Sequence, residues 1–253
     1  MGARDSRIRF CCEDIYIWLG GRQILEAVSL SVDAGQVLGI VGPNGAGKTT
    51  LLEVFSGRYR AQRGRVFYDS HDITRLPLYA RARLGLGRTY QSPVVPEALT
   101  VGEVLRAARQ AYPPFLTRYH AEWAAAKVGL GANSEALAAS LDTLSRRKLL
   151  LACLLMRRPR VILMDEPAAG LINSEIDEID NLIRYFAREL QMAAIVVEHR
   201  LELVSAIADE AVVLDLGRII ARGSPETVFE DRAVRAAYFD ASPLTVPARE
   251  NVI

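Results

Sequence analysis

Cysteine is scarce in this chain. Adjacent Cys11 and Cys12 and a lone Cys153 have neither the spacing of metal ligands nor the even number of a disulfide framework, which favours a reducing compartment. Net charge is nearly absent too. The 31 basic and 30 acidic side chains leave a formal balance of +1, so no global field draws the chain to nucleic acid or anionic lipid, and no nucleic-acid partner is expected. Long hydrophobic runs are missing: the longest, Leu149 to Met156, falls far short of the roughly 20 residues a membrane helix requires. Met1 to Phe10 carries Arg4, Arg7 and Arg9 with no apolar stretch behind them, so no secretory signal is expected.

What is present is apolar mass. Half of the 253 residues are apolar, enough for a sizeable core, and one large α/β domain over residues 1–240 with a C-terminal tail over 241–253 is the natural reading. Val37-Leu38-Gly39-Ile40-Val41 is a short β-rich run ending in a glycine turn, read as a buried strand, with a helix starting at Gly47 or Lys48. Val161 to Met164 and Ala194 to Val197 are similar runs that end in polar or acidic residues and precede helix-like segments. Such alternation predicts a parallel sheet with active groups at its C-terminal strand ends. Ile8 to Leu19 and Ile24 to Val32, joined at Gly20-Gly21, predict an antiparallel β layer before that core. From Ala98 to Pro159 the pattern is alanine- and leucine-rich with helical spacing, which places an inserted helical subdomain at about residues 95–158. Ala211 to Leu216 and Ile219 to Ala221 read as a hairpin, followed by a final helix around Val234 to Phe239.

The chemistry concentrates in Gly42-Pro43-Asn44-Gly45-Ala46-Gly47-Lys48-Thr49, a full P-loop pattern in its required strand-to-helix setting. Glycines let successive backbone N–H groups point into one concavity, and the helix N-terminus adds positive potential where a β-phosphate would lie. Lys48 is expected to bridge β- and γ-phosphate oxygens of ATP, and Thr49 to place its hydroxyl on Mg²⁺. The apolar run to Met164 opens onto Asp165-Glu166. Asp165 is the expected outer ligand of Mg²⁺ and Glu166 the general base for an attacking water; taken alone, such a pair could equally cap the next helix. His199 follows another strand end, within reach of a γ-phosphate, and Gln91 lies where the core hands over to the helical insert.

In their order these residues resemble the ATP-binding-cassette ATPases over almost the full chain. The Walker A loop is Gly42 to Thr50, the Q-loop glutamine is Gln91, Walker B is Val161 to Glu166, and the switch histidine is His199. The resemblance implies a P-loop NTPase core with a RecA-like parallel sheet, an N-terminal antiparallel layer and a helical insert. It also implies ATP and Mg²⁺ as cofactors, with Gln91 sensing Mg²⁺ and the attacking water while touching a transmembrane permease. Glu166-Pro167-Ala168-Ala169-Gly170-Leu171, Val197-Glu198-His199 and Ala236-Ala237-Tyr238-Phe239 are similar to ATPases of the branched-chain amino-acid importer group, which amide and urea importers share. A peripheral place on the cytoplasmic face of the plasma membrane follows from the same resemblance. Pro93, Val94, Val95, Pro96 and Leu99 are expected to form part of the permease contact.

The chain departs from the family pattern in three segments. The signature, usually close to Leu-Ser-Gly-Gly-Gln, falls on Leu141-Asp142-Thr143-Leu144-Ser145, where a carboxylate replaces the serine that faces a γ-phosphate across the dimer. This implies pairing with a second cassette subunit whose signature is intact. The aromatic residue that stacks on adenine falls at Leu19, leaving Trp18 as its substitute, and Ile172 stands where a polar residue usually follows Gly170-Leu171. Two competing classes are a cassette that holds ATP with little turnover and a soluble cassette of DNA repair or translation. The general-base and histidine positions weigh against the first, and the lack of room for a coiled coil or second cassette against the second.

Overall fold

The computed structural model describes residues 8–231 together with 234 and 235. Two strands open the chain, β1 (Ile8–Leu19) and β2 (Arg22–Asp33), as an antiparallel hairpin. Its turn is Gly20-Gly21, with φ of 57° and 78°, the left-handed pair that a two-residue hairpin loop needs. The chain continues through β3 (Val37–Val41), α1 (Lys48–Ser56), β4 (Arg63–Tyr68), β5 (His71–Asp72), α2 (Leu78–Leu84) and β6 (Leu86–Arg88). Helices α3 (Val101–Gln110), α4 (Arg118–Lys127) and α5 (Thr143–Leu155) follow. Next come β7 (Val161–Asp165), α6 (Asn173–Arg188), β8 (Ala193–Val197), α7 (Leu201–Ile207), β9 (Glu210–Asp215), β10 (Arg218–Gly223) and α8 (Pro225–Glu230).

Two sheets result, with strand orders β2-β1-β4-β5 and β10-β9-β3-β8-β7-β6. The second is parallel except for β10, and β3, β7 and β8 are buried at every position, the run-like hydrophobicity expected of strands covered on both faces. Helix α1 packs between the sheets, where Leu51, Leu52 and Phe55 meet Phe10, Ile15 and Ile40; the rings of Phe10 and Phe55 contact edge-on at 5.1 Å. Each such fully buried side chain contributes about 1.5–3 kcal/mol. The opposite face of the parallel sheet is covered by α6, through Ile179, Ile183 and Phe186, and by α5, through Leu151 and Leu155.

Between β6 and β7 the chain is helical, and α3 begins at a reciprocal cap in which Glu103 N donates to Thr100 Oγ1 and Thr100 N to Glu103 Oε2. Val95, Val101, Val104, Ala138 and Leu149 form a separate small core there. Strands β4, β5 and β6 and helices α2 and α8 have no counterpart in the sequence pattern read above. Of the helix expected from Val234 to Phe239, only Val234 and Arg235 are described; Ala236 to Phe239 and the tail lie outside the described residues.

Candidate functional site

The parallel register brings the functional segments to one sheet edge. Ile40 and Asp165 both pair with Val197, so β3, β7 and β8 end side by side, and their following residues enter a shared space. Gly42 leaves β3 so close to the β9–β10 turn that a Cβ on it would stand 2.0 Å from Leu214 O; at Gly47 a Cβ would stand 2.7 Å from Leu25 Cδ2. The backbone carbonyl beside Gly42 leaves no room for a side chain, and at Gly47 the φ of 104° is what favours glycine. The β9–β10 turn also braces the loop, with Gly217 N donating to Ala46 O at 3.0 Å.

Helix α1 starts with no side-chain cap and no acidic residue in its first turn, leaving its N–H groups to a ligand. Lys48 is buried, and its Nζ donates to Gly42 O at 2.7 Å and Pro43 O at 3.0 Å, which holds the ammonium over its own loop. Burial lowers the Lys48 pKa, while Glu166, Asp165 and Glu198 oppose that shift. Thr49 Oγ1 lies 3.4 Å from Asp165 Oδ1. Burial raises the Asp165 pKa, and the Arg88 guanidinium counters it. Among the described residues no group of three or more His, Cys, Asp and Glu forms a metal cluster. A divalent ion here would take Thr49, Asp165 and phosphate oxygens, the sparse donor set that suits Mg²⁺.

Glu166 has a left-handed backbone, φ 46°, and its N–H donates to Val197 O at 2.9 Å. That conformation costs on the order of 1 kcal/mol at a non-glycine residue and turns the carboxylate out of the sheet. Gln91 and His199 both approach it. Gln91 Nε2 donates to Glu166 Oε2 at 2.5 Å, and His199 Nδ1 lies 3.8 Å from Glu166 Oε1. The cleft beside the loop, about 470 Å³, is lined by Asn44 to Thr50, Glu166, Arg22, Gln23, Ile24 and Leu216. Trp18 is not among these lining residues: its ring stacks on Tyr16 at 6.0 Å, and its backbone exchanges hydrogen bonds with Gln62.

Glu198, Arg147, Arg88 and Glu53 were given no role by the sequence. Glu198 is buried with its Oε1 accepting from Ala168 N, and burial pushes its pKa up to about 7. Arg147 donates to Glu166 O at 3.5 Å and Ala169 O at 2.5 Å, securing the turn after β7 from the insert. A charged residue inside the apolar run Leu51-Leu52-Glu53-Val54-Phe55 is the signal by which Glu53 could have been found.

The loop after Gln91 divides in two. Val94 is 81% exposed and Pro93 lines a narrow apolar groove with Tyr90, Leu150, Met164 and Pro167, but Val95 is 5% exposed and packs with Leu99 into the core of the insert. Val95 therefore serves the core of the insert, while Leu99 packs against that core and stays partly exposed. Asp142 caps α5, its Oδ1 accepting from Ser145 N at 2.7 Å; this bond lowers its pKa, so the carboxylate is ionised at neutral pH. Ile172 is 67% exposed, and its N–H donates to Glu175 Oε2. No helix of the described residues is long and apolar enough to cross a membrane.

Residues 25–169 match the family of ABC transporter domains, and this chain belongs to that family. It is an ATPase subunit of the ABC transporter class, whose members work with transmembrane permease components. It is 34% identical to the lipopolysaccharide export system ATP-binding protein LptB of Acidithiobacillus ferridurans, over 86% of this chain and 90% of that protein. It is 32% identical to the high-affinity branched-chain amino acid transport ATP-binding protein BraF of Pseudomonas aeruginosa, over 87% and 92%. The ADP conformation of an ATP-binding cassette of an ABC transporter superposes with a TM-score of 0.83 at 28% identity, covering 91% of this chain and 98% of that one. A cbiO1 subunit of Clostridium perfringens, described as part of the ABC transporter complex cbiONQ, gives a TM-score of 0.79 at 25% identity, over 90% and 93%.

Proposed function

We propose that the chain powers uptake of branched-chain amino acids or related small polar solutes, hydrolysing ATP from the cytoplasmic face of the membrane. The observation that carries the hydrolytic part is the convergence of Gln91 and His199 on Glu166 at the edge of the P-loop cleft. The loop N–H groups and Lys48 bind the phosphates, and Glu166 takes the proton of the water that attacks the γ-phosphorus. Gln91 holds the carboxylate in line, and His199 faces the γ-phosphate. Mg²⁺, when bound through Thr49 and Asp165, would neutralise charge on the β- and γ-oxygens. Adenine would rest against Arg22, Gln23 and Ile24, which line the cleft where Trp18 does not.

The importer assignment draws support from the resemblance of Glu166 to Leu171 to that group and from the likeness to BraF. The likeness to LptB favours a second reading, service to an exporter. Purifying the chain with its membrane partner separates the two by the permease recovered. Asp142 in the signature supports pairing with a different cassette subunit, because an ionised carboxylate about 4 Å from a phosphate charge costs on the order of 4 kcal/mol at an effective dielectric near 20. The basic test is Lys48→Ala: loss of ATP binding or turnover is expected, and unchanged affinity and hydrolysis would defeat the reading.

A further inference from the structure

Behind the P-loop a buried arginine faces two carboxylates. On α1, Glu53 follows Thr49 by one helical turn and lies on the same face. It is buried, and a carboxylate there is costly unless paired. Its Oε1 stands 3.0 Å from Arg88 Nη2, at the end of β6. Arg88 Nη1 donates to Ser56 Oγ at 2.8 Å, also on α1, and its guanidinium lies 4.7 Å from the centre of the Tyr90 ring. The same Nη2 is 3.7 Å from Asp165 Oδ2, outside hydrogen-bond distance, while Asp165 Oδ1 faces Thr49.

The guanidinium is thus drawn towards α1 by two partners and stops short of Asp165. At that distance it offsets the charge of a buried aspartate without occupying it. A full ion pair would set Arg88 against any cation for the same oxygen. We infer that Glu53 is a positioning residue that holds Arg88 off Asp165 and so keeps that carboxylate free for a divalent metal. The inference rests on the reading that ATP binds at the loop with its metal at Thr49 and Asp165.

The test uses the full chain with ATP and Mg²⁺, measuring ATP affinity without metal, the Mg²⁺ midpoint for tightened binding, and the melting temperature. Glu53→Gln keeps an oxygen acceptor but removes the charge that draws Arg88 to α1, which should let the guanidinium move towards Asp165 and raise the Mg²⁺ midpoint severalfold while metal-free affinity stays within about twofold. Glu53→Asp, withdrawing the carboxylate by one methylene, should shift it in the same direction and serves if the Gln variant melts early. Adding Arg88→Met to Glu53→Gln removes the competitor and should return the midpoint to the parent value or below. An unshifted midpoint in both Glu53 variants, or a shift that persists in the double variant, overturns the inference. Failure of the parent chain to bind ATP in the metal-free arm would instead defeat the underlying reading and the inference with it.

Discussion

Gln91 and Glu166, 75 positions apart in the chain, are joined by a 2.5 Å hydrogen bond from amide to carboxylate. The residue at the start of the groove loop thereby touches the carboxylate that faces the phosphate cleft. Glu166→Gln keeps the shape of the side chain and removes the proton acceptor. ATP affinity should persist while turnover of the assembled transporter falls by roughly two orders of magnitude or more, measured as phosphate release with binding followed separately.

Val94 and Val95 are adjacent and should behave oppositely. Val94→Asp places a charge on an 81% exposed side chain and should leave the melting temperature within a few degrees while weakening permease association, read by co-purification from membranes. Val95→Asp puts an unpaired carboxylate into the small core of the insert and should cost at least about 3 kcal/mol, read by denaturant unfolding. Intact association and coupled transport in the Val94 variant would remove this loop from the contact.

Glu198 sets a pH dependence of stability. Its folded pKa, about 7, lies above the reference value of 4.5 because of burial, with Glu166 adding to the rise and Arg200 opposing it; Lys48 and Arg147 also feel its charge. The folded state therefore binds this proton more tightly than the unfolded chain. The penalty for ionising it is absent below the unfolded pKa, grows between 4.5 and 7, and is complete above 7. Glu198→Gln should be more stable than the parent above neutral pH by on the order of 1–3 kcal/mol, with the difference closing as pH falls towards the unfolded pKa. Paired melting curves across pH check this; a constant difference would exclude Glu198 as its source.

Asp142 carries two separable effects. Asp142→Ala removes the α5 cap and should cost about 1 kcal/mol, whereas Asp142→Asn keeps an acceptor for Ser145 N and should be nearly neutral. Because the cap is best when ionised, its contribution is present above the ordinary carboxylate pKa and lost as acid titrates the folded state. In an assembled pair of cassettes, Asp142→Asn should raise ATP occupancy at the facing site, counted by nucleotide trapping. Robust hydrolysis by this chain alone would argue against the asymmetric pair.

The sequence made the local parts of this architecture legible. The P-loop, the acidic strand end and the opening hairpin are each written in consecutive residues whose turn chemistry and burial period agree. Strand β6 escaped notice because three residues, Leu86 to Arg88, carry no readable period. The Glu53–Arg88 pair spans 35 positions and is fixed by the packing of α1 against β7, the strand beside β6, which no local pattern encodes. Val95 and Leu99 show the converse: an apolar loop segment suggested a contact surface, and the helical insert had already buried part of it.

The phosphate loop and the acidic strand end follow β3 and β7, and in the sheet these strands are separated by β8, which arrives only at residues 193–197. A growing chain therefore carries both motifs well before anything can align them. A fragment ending at residue 169 would hold the Walker residues and lack the strand that sets their spacing. Assembly of the site is in this sense the last long-range closure of the sheet's centre. Slow folding, early exposure of β3 and β7 and loss of nucleotide binding on late truncation are the expected consequences of that one strand order.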